Sequence, residues 1–156
     1  MLFNPVSSFF KTFLYLIIGR ISFPKDRKGE EILMSDGIKF KIFRQVIVKP
    51  SRKQTALPEA LFKVRFIVEN MSLKQNIRFS RIPIPFFIGL PGIRSKLWTF
   101  NEETGYFQGI YEWDTIKHAK KYSKSFAMKF MTRRSKPGSV CSSILSNKPG
   151  NFSKFE

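Results

Sequence analysis

Residues 61–69 read LFKVRFIVE, a pattern that leaves the backbone little choice. Phe62, Val64, Phe66 and Val68 make one wholly apolar face, while Lys63, Arg65, Ile67 and Glu69 make a mostly polar one. Strict alternation fits a half-buried β-strand and not the 3.6-residue period of a helix. The apolar face of such a strand must be covered, and the rest of the chain shows by what. Ser72 can cap a helix over roughly residues 73–81, which Pro83 and Pro85 end. An apolar, proline-punctuated loop, IPIPFFIGLPG, follows. A second strand, IRSKLWTF, meets a third, YFQGIYEW, across the loop NEETG, whose closing glycine is a hairpin signal. In that register Phe100 opposes Tyr106, Trp98 opposes Gln108, Lys96 opposes Ile110, and Arg94 opposes Glu112 as an opposite-charge pair. Asp114 or Thr115 caps a long helix reaching about Ser135, with Ile116, Ala119, Phe126, Phe130 and Met131 toward the sheet. SVCSSIL is the last strand.

This order predicts an α+β fold, a ferredoxin-like β-α-β-β-α-β unit whose four-stranded antiparallel sheet is covered by two helices on one face. The other face then carries Lys63, Arg65, Ile67, Arg94, Lys96, Trp98, Phe100, Gln108, Ile110 and Glu112. A face mixing Trp, Phe and charges needs a cover, and a homodimer that packs sheet on sheet and traps a pocket supplies one. Residues 57–145 form this domain. Residues 1–56 are an extension with a short apolar helix and a β-hairpin (EILM, a turn at Ser35–Gly37, then IKFKIFRQVIVKP). SRKQTALP, Ser51–Pro58, is a polar linker, and residues 146–156 are a frayed tail.

Of 156 residues, 28 are Lys or Arg and 11 are Asp or Glu, a net charge of +17. The charge sits in two basic flanks around a near-neutral middle, and would draw phosphate-bearing partners, lipid or nucleic acid, or simply keep a Phe-rich protein soluble. At 42% hydrophobic the chain is too apolar for a disordered polycation. The single cysteine, Cys141, excludes an intramolecular disulfide and multi-thiolate zinc sites; the single histidine, His118, excludes paired-His metal sites. With no signal-peptide pattern before or after Ile18, this reads as a reduced, cytoplasmic protein. G-x-G-x-x-G, P-loop, G-x-S-x-G and H-E-x-x-H patterns are absent, which excludes conventional nucleotide, flavin and hydrolytic sites.

The stretch LPGIRSKLWTFNEETGYFQGIYEWDT, the helix entered after Trp113-Asp114, and PGSV before the closing strand resemble the YdhR-like mono-oxygenases of the dimeric α+β barrel superfamily. The match runs from about Phe62 to Leu145, through Lys96, Trp98, Glu103–Gly105, Gly109–Tyr111 and Trp113. Two departures stand out: residues 1–56 precede the matched stretch, and Gln108 occupies a position where the family commonly has a small residue. The resemblance implies a mono-oxygenase without cofactor, or a protein that binds a small hydrophobic aromatic or polyketide-like molecule. Such an enzyme needs a dry pocket, a group to take a proton and donors to hold the resulting anion. Arg65 and Lys96 can stabilise an enolate, Trp98 can stack on the ring, Gln108 can hydrogen-bond an oxygen, and Glu112 or Tyr106 can act as base. Phe86, Phe87 and Tyr106 are candidates for the pocket mouth, and Phe86 and Phe87 can instead pack in the core or form a lip that inserts in lipid. Each residue has an ordinary alternative role: Arg65 and Lys96 as interface charges, Trp98 as a packed aromatic, Arg94 and Glu112 as a cross-strand pair. No cofactor is expected, and Cys141 reads as an inert strand thiol.

A different function class rests on the helix Phe9–Ile18. At 1.5 Å per residue it is on the order of 16 Å long, too short to span a bilayer. It can pack on the domain, or lie on an anionic membrane with Lys11 and Arg20 at headgroup level, which would make the chain a non-enzymatic peripheral accessory protein. Nucleic-acid binding ranks last, because the strands carry no RNP-like pattern.

Overall fold

The structure, a computed structural model, describes residues 3–51 and 57–146. Most of the Ser51–Pro58 linker and the tail beyond Ser146 lie outside the described residues. In chain order the elements are α1 (Pro5–Ile17), β1 (Ile21–Ser22), β2 (Glu31–Leu33), β3 (Lys39–Val48), β4 (Ala60–Phe66), α2 (Leu73–Phe79), α3 (Ile84–Ile88), β5 (Ile93–Phe100), β6 (Phe107–Trp113), α4 (Ile116–Ser123), α5 (Phe126–Arg133) and β7 (Cys141–Ser146).

The strands form one seven-stranded sheet in the order β1-β3-β5-β6-β4-β7, with β2 also paired to β3. Within it, β5-β6-β4-β7 is the expected ferredoxin-like arrangement. The expected four strands and two helices are too few. The extension does not stand apart: β3 lies antiparallel along β5 and covers the edge that a four-stranded sheet would leave unpaired.

The helices differ from expectation for local reasons. α2 begins as read, with a capping box between Ser72 and Gln75, but ends at Phe79. The proline-rich loop contains a helix, α3, because proline is tolerated in a first turn, where no intrahelical N–H partner is needed. The long second helix is two: the Ser125 side chain accepts from the Met128 N–H and starts α5 anew. α1 starts at Pro5 with Asn4 as its cap, its Oδ1 accepting from the Val6 N–H at 2.9 Å.

The face of the sheet away from the helices is not bare. The β2–β3 hairpin folds over it, so that Phe40, Thr99 and Gln108 are at most 1% exposed within a single chain. Asp36 in the hairpin turn pairs with Arg65, which also lies 4.7 Å over the Phe40 ring.

α1 packs on α3 through small side chains. Thr12 Oγ1 donates to the Pro85 carbonyl at 2.8 Å. A Cβ on Gly89 would sit 2.1 Å from the Ser8 carbonyl oxygen, inside any allowed contact and against backbone that cannot swing aside. Gly89→Ala is therefore expected to lift α1 off α3. Amide exchange within α1 should accelerate by about tenfold or more while β5 and β6 keep their protection; unchanged α1 exchange would contradict this packing.

Candidate active site

The β5–β6 register decides which side chains meet. Lys96 opposes Tyr111, Trp98 opposes Gly109 and Phe100 opposes Phe107. This is one residue away from the expected pairing, and a one-residue slip sends every side chain of a strand to the other face. The turn is the cause. Asn101 N–H donates to the Tyr106 carbonyl at 2.9 Å, so residues 101–106 all belong to the connection, and Phe107 rather than Tyr106 meets Phe100. Asn101 Oδ1 pins the turn by accepting from the Thr104 N–H at 2.7 Å, and Gly105 takes φ +73°. A bulge between Ile93 and Ser95 displaces Arg94, which pairs with Asp114 at 3.1 Å instead of Glu112. Glu112 accepts from Ser95 Oγ.

Lys96 and Trp98 consequently face the helices, not the face where the sequence reading put them. There they line a cavity of about 350 Å³ between sheet and helical layer. Its sheet side includes Phe107, Gly109 and Tyr111; its helical side includes Phe87, Tyr122, Phe126 and Met128. Ile82, Phe86 and Phe130 are exposed at its edge. Among the described residues no Asp or Glu lines it.

Lys96 is the chemical centre of this cavity. Its Nζ lies 4.4 Å from the Phe87 ring centre, 4.3 Å from Trp98 and 4.4 Å from Tyr111. Burial pushes the amine well below its ordinary 10.5, and the nearby Arg44 cation pushes it further down. The three rings attract the protonated form and oppose this shift. Arg44 reaches the same region from β3, 5.4 Å over Trp98, and is fixed by bonds to Ser80 Oγ at 2.7 Å and the Ile77 carbonyl at 3.0 Å. Burial and the Arg81 charge lower it to about 10. Tyr122 donates its O–H to the Tyr111 oxygen at 3.0 Å. Burial raises both tyrosines, so they stay phenols near neutral pH. Gly109 leaves room for the Tyr111 ring: a Cβ there would meet Tyr111 Cε2 at 2.8 Å.

The candidate residues divide between two places. Lys96, Trp98, Phe86 and Phe87 share the cavity. Arg65 and the Gln108 side chain lie on the opposite face, with Arg65 Nε donating to Gln108 Oε1 at 2.6 Å, and Gln108 meets the cavity without directing its amide there. Glu112 is on that opposite face with Ser95, and Tyr106 is at the hairpin end. Tyr111 lies on the helix-facing side of β6. That it meets Lys96 follows only from the true register, and nothing in the sequence pointed to Tyr122.

His118 stands apart from the cavity, with its Nδ1 3.1 Å from Thr115 Oγ1, and burial lowers its pKa. Among the described residues no group of three or more His, Cys, Asp and Glu could hold a metal ion.

No protein-family model matches the sequence, and no curated protein matches it. Solved structures do. One is an uncharacterised ferredoxin-fold protein related to antibiotic biosynthesis monooxygenases from Listeria monocytogenes, at 15% identity and TM-score 0.53 over 70% of this chain and 64% of that one. A monooxygenase-like protein from Listeria innocua matches at 15% identity and TM-score 0.51, over 72% and 65%. A heme-degrading enzyme from Listeria monocytogenes matches at 11% identity and TM-score 0.51, over 80% and 95%. The likeness is one of fold, α+β and ferredoxin-like. The chain spans less than two thirds of the length of the first two.

Two outcomes follow from the cavity geometry. Between the lowered pKa of folded Lys96 and 10.5, the unfolded chain holds a proton that the folded chain lacks, so stability rises with pH across that window. Lys96→Met should remove this slope: its thermal midpoint should gain most over the parent at the acid end of the window, and the gain should vanish toward high pH. Gly109→Ala should displace the Tyr111 ring, which a changed near-ultraviolet circular dichroism spectrum with native far-ultraviolet signal would register.

Proposed function

We propose that the cavity binds a small hydrophobic aromatic molecule bearing an acidic phenol or enol, and that the protein is a mono-oxygenase that works without a cofactor. The observation that carries this reading is a buried amine, depressed toward its neutral form, at the wall of an aromatic cavity that contains no carboxylate. The rings of Phe87, Trp98 and Tyr111 suit a flat apolar ligand. Lys96, entering as the neutral amine, takes the proton from the ligand's acidic oxygen. The ammonium so formed is held among the three rings and pairs with the ligand's anion. A phenolate or enolate of this kind is electron-rich enough to pass an electron to dioxygen. For a ring methylene next to such a group, one oxygen atom enters as the new carbonyl. The other leaves as water with the two hydrogens of the methylene. Lys96 thus takes the base's part assigned in sequence to Glu112 or Tyr106, and Trp98 keeps its stacking part. Arg65, Gln108 and Glu112 support the opposite face. Because one chain walls the cavity, a homodimer is not needed to build it. Membership of the YdhR-like group within this fold is our reading of the Lys96-to-Trp113 hairpin.

The test is dioxygen uptake with an anthrone or a quinol, without added flavin or metal. Turnover should rise with pH through the lowered Lys96 pKa and fall at least about a hundredfold in Lys96→Met, the range of a lost general base. Full turnover in Lys96→Met would remove Lys96 as the base. No turnover with any substrate, while Trp98 fluorescence still reports saturable binding, would leave a binding protein.

A further inference from the structure

α1 is amphipathic the wrong way round for a helix packed on a domain. Its buried residues are the small hydroxyl residues Ser8 and Thr12, at 1% and 3% exposure. Its large apolar side chains point out: Phe10 is 68% exposed, Ile17 80%, and Phe13 and Leu14 both 53%. Phe10, Phe13, Leu14 and Ile17 are spaced i, i+3, i+4 and i+7, one continuous stripe. Surface helices of globular proteins turn that stripe to the core, and a contiguous exposed patch of this kind marks an interaction site. The helix is held in this orientation by the Thr12 bond to the Pro85 carbonyl and by the fit of Gly89 against Ser8.

The patch does not end with α1. The Phe9 and Phe86 rings lie 5.5 Å apart, and exposed Ile82 adjoins Phe86 on the α3 segment. Pro5, Ile82 and Phe86 also line the cavity. The apolar surface and the cavity edge are therefore one surface.

The helices around it carry charge of a single sign. No Asp or Glu occurs in residues 3–25, 70–101 or 115–146, which include all five helices. Lys11 lies on α1 itself, Arg81 immediately precedes Ile82, and Lys121 Nζ is 5.8 Å from the Phe3 ring, which brings basic α4 beside the start of α1. A second copy docked on this face would set one basic layer against another. An anionic bilayer meets both the stripe and its cationic surround. No helix of the described residues is long and apolar enough to cross a membrane, so the fit is to the surface.

We propose that α1 and the α3 lip seat the protein on an anionic membrane, and that the cavity takes its ligand from that bilayer, a lipid-soluble phenol or enol. The second half rests on the pocket reading above; the first does not. The experiment floats the full chain with vesicles of phosphatidylcholine containing phosphatidylglycerol and with vesicles of phosphatidylcholine alone. The variant is the double substitution Phe10→Glu with Ile17→Glu, both on the exposed stripe and outside the cavity. The parent should float with the anionic vesicles and weakly with the neutral ones, and the variant should lose about tenfold or more in partitioning while keeping its thermal midpoint. An alkylphenol dissolved in the anionic vesicles should quench Trp98 in the parent. The variant should respond only when the same phenol is offered in detergent. Equal flotation of parent and variant, or none of either, overturns the docking. A parent that self-associates in the absence of lipid and is made monomeric by the variant, with no flotation, assigns the face to a second copy and overturns it too. Flotation with no quenching in any medium overturns the ligand half alone and indicts the pocket reading. Flotation that transfers undiminished to a charged oligonucleotide, insensitive to the variant, shows general polycation behaviour and overturns the docking.

Discussion

The pairing of β5 with β6 sets everything the cavity contains. With Lys96 opposite Tyr111 and Trp98 opposite Gly109, a lysine stands on the apolar face of the sheet, under the helices. Shifted by one, Lys96 would sit on the opposite face with Gln108 and Arg65, under the hairpin that carries Asp36 and outside the aromatic cavity. Asn101 in the turn and the bulge after Ile93 enforce the observed register, and Gly109 leaves the space into which Tyr111 leans. Three small features of backbone chemistry thus place an amine where water cannot fully solvate it.

That placement matters through the balance of energies around the amine. Full burial can shift a lysine by up to about 3–5 pKa units, while a well-placed ring recovers on the order of 0.5–2 kcal/mol. Arg44, on the same side of the sheet, works against a second positive charge, and no carboxylate lines the cavity to offset it. A neutral acid entering this space brings the missing counter-charge in latent form. Proton transfer inside creates both ions at once and adjacent, so neither is desolvated alone. On the proposed function, the ligand arrives uncharged and ionises on arrival, and the uncharged form is also the one that partitions into apolar surroundings.

The sequence was most readable where the two faces of an element differ. Phe62, Val64 and Phe66 alternate with Lys63 and Arg65, and β4 lies as that pattern requires. Phe107, Tyr111 and Trp113 placed β6 correctly for the same reason. β5 offers no such contrast: Lys96, Trp98 and Phe100 on one face are no more apolar overall than Ser95, Leu97 and Thr99 on the other. Its register had to be inferred from loop length and an Arg94–Glu112 pair, and the bulge sends Arg94 to Asp114 instead. The addition of β3 to the edge of β5, and the fold of its hairpin over Gln108, are long-range pairings with no local signature. The α3 helix was hidden by prolines that read as loop, and the break before α5 by a serine that fits a helix interior as well as a cap.

The inverted α1 has a packing cause that ties surface to cavity. Ser8 and Thr12 face α3 because Gly89 brings that helix end against the α1 backbone, too close for Phe or Leu to lie between them. The stripe of Phe10, Phe13, Leu14 and Ile17 on the other side of the helix is thereby turned outward. An apolar exterior is thus a consequence of the close α1–α3 fit, and the same fit carries Phe86 and Ile82 into the cavity edge. Any substitution that relaxed it, letting α1 roll its apolar stripe inward, would both hide the patch and move the cavity's edge. Exposure of the stripe and the shape of the entrance are in this sense one structural property, and in the docking proposed above the surface that meets the bilayer is also the one through which a lipid-soluble ligand enters.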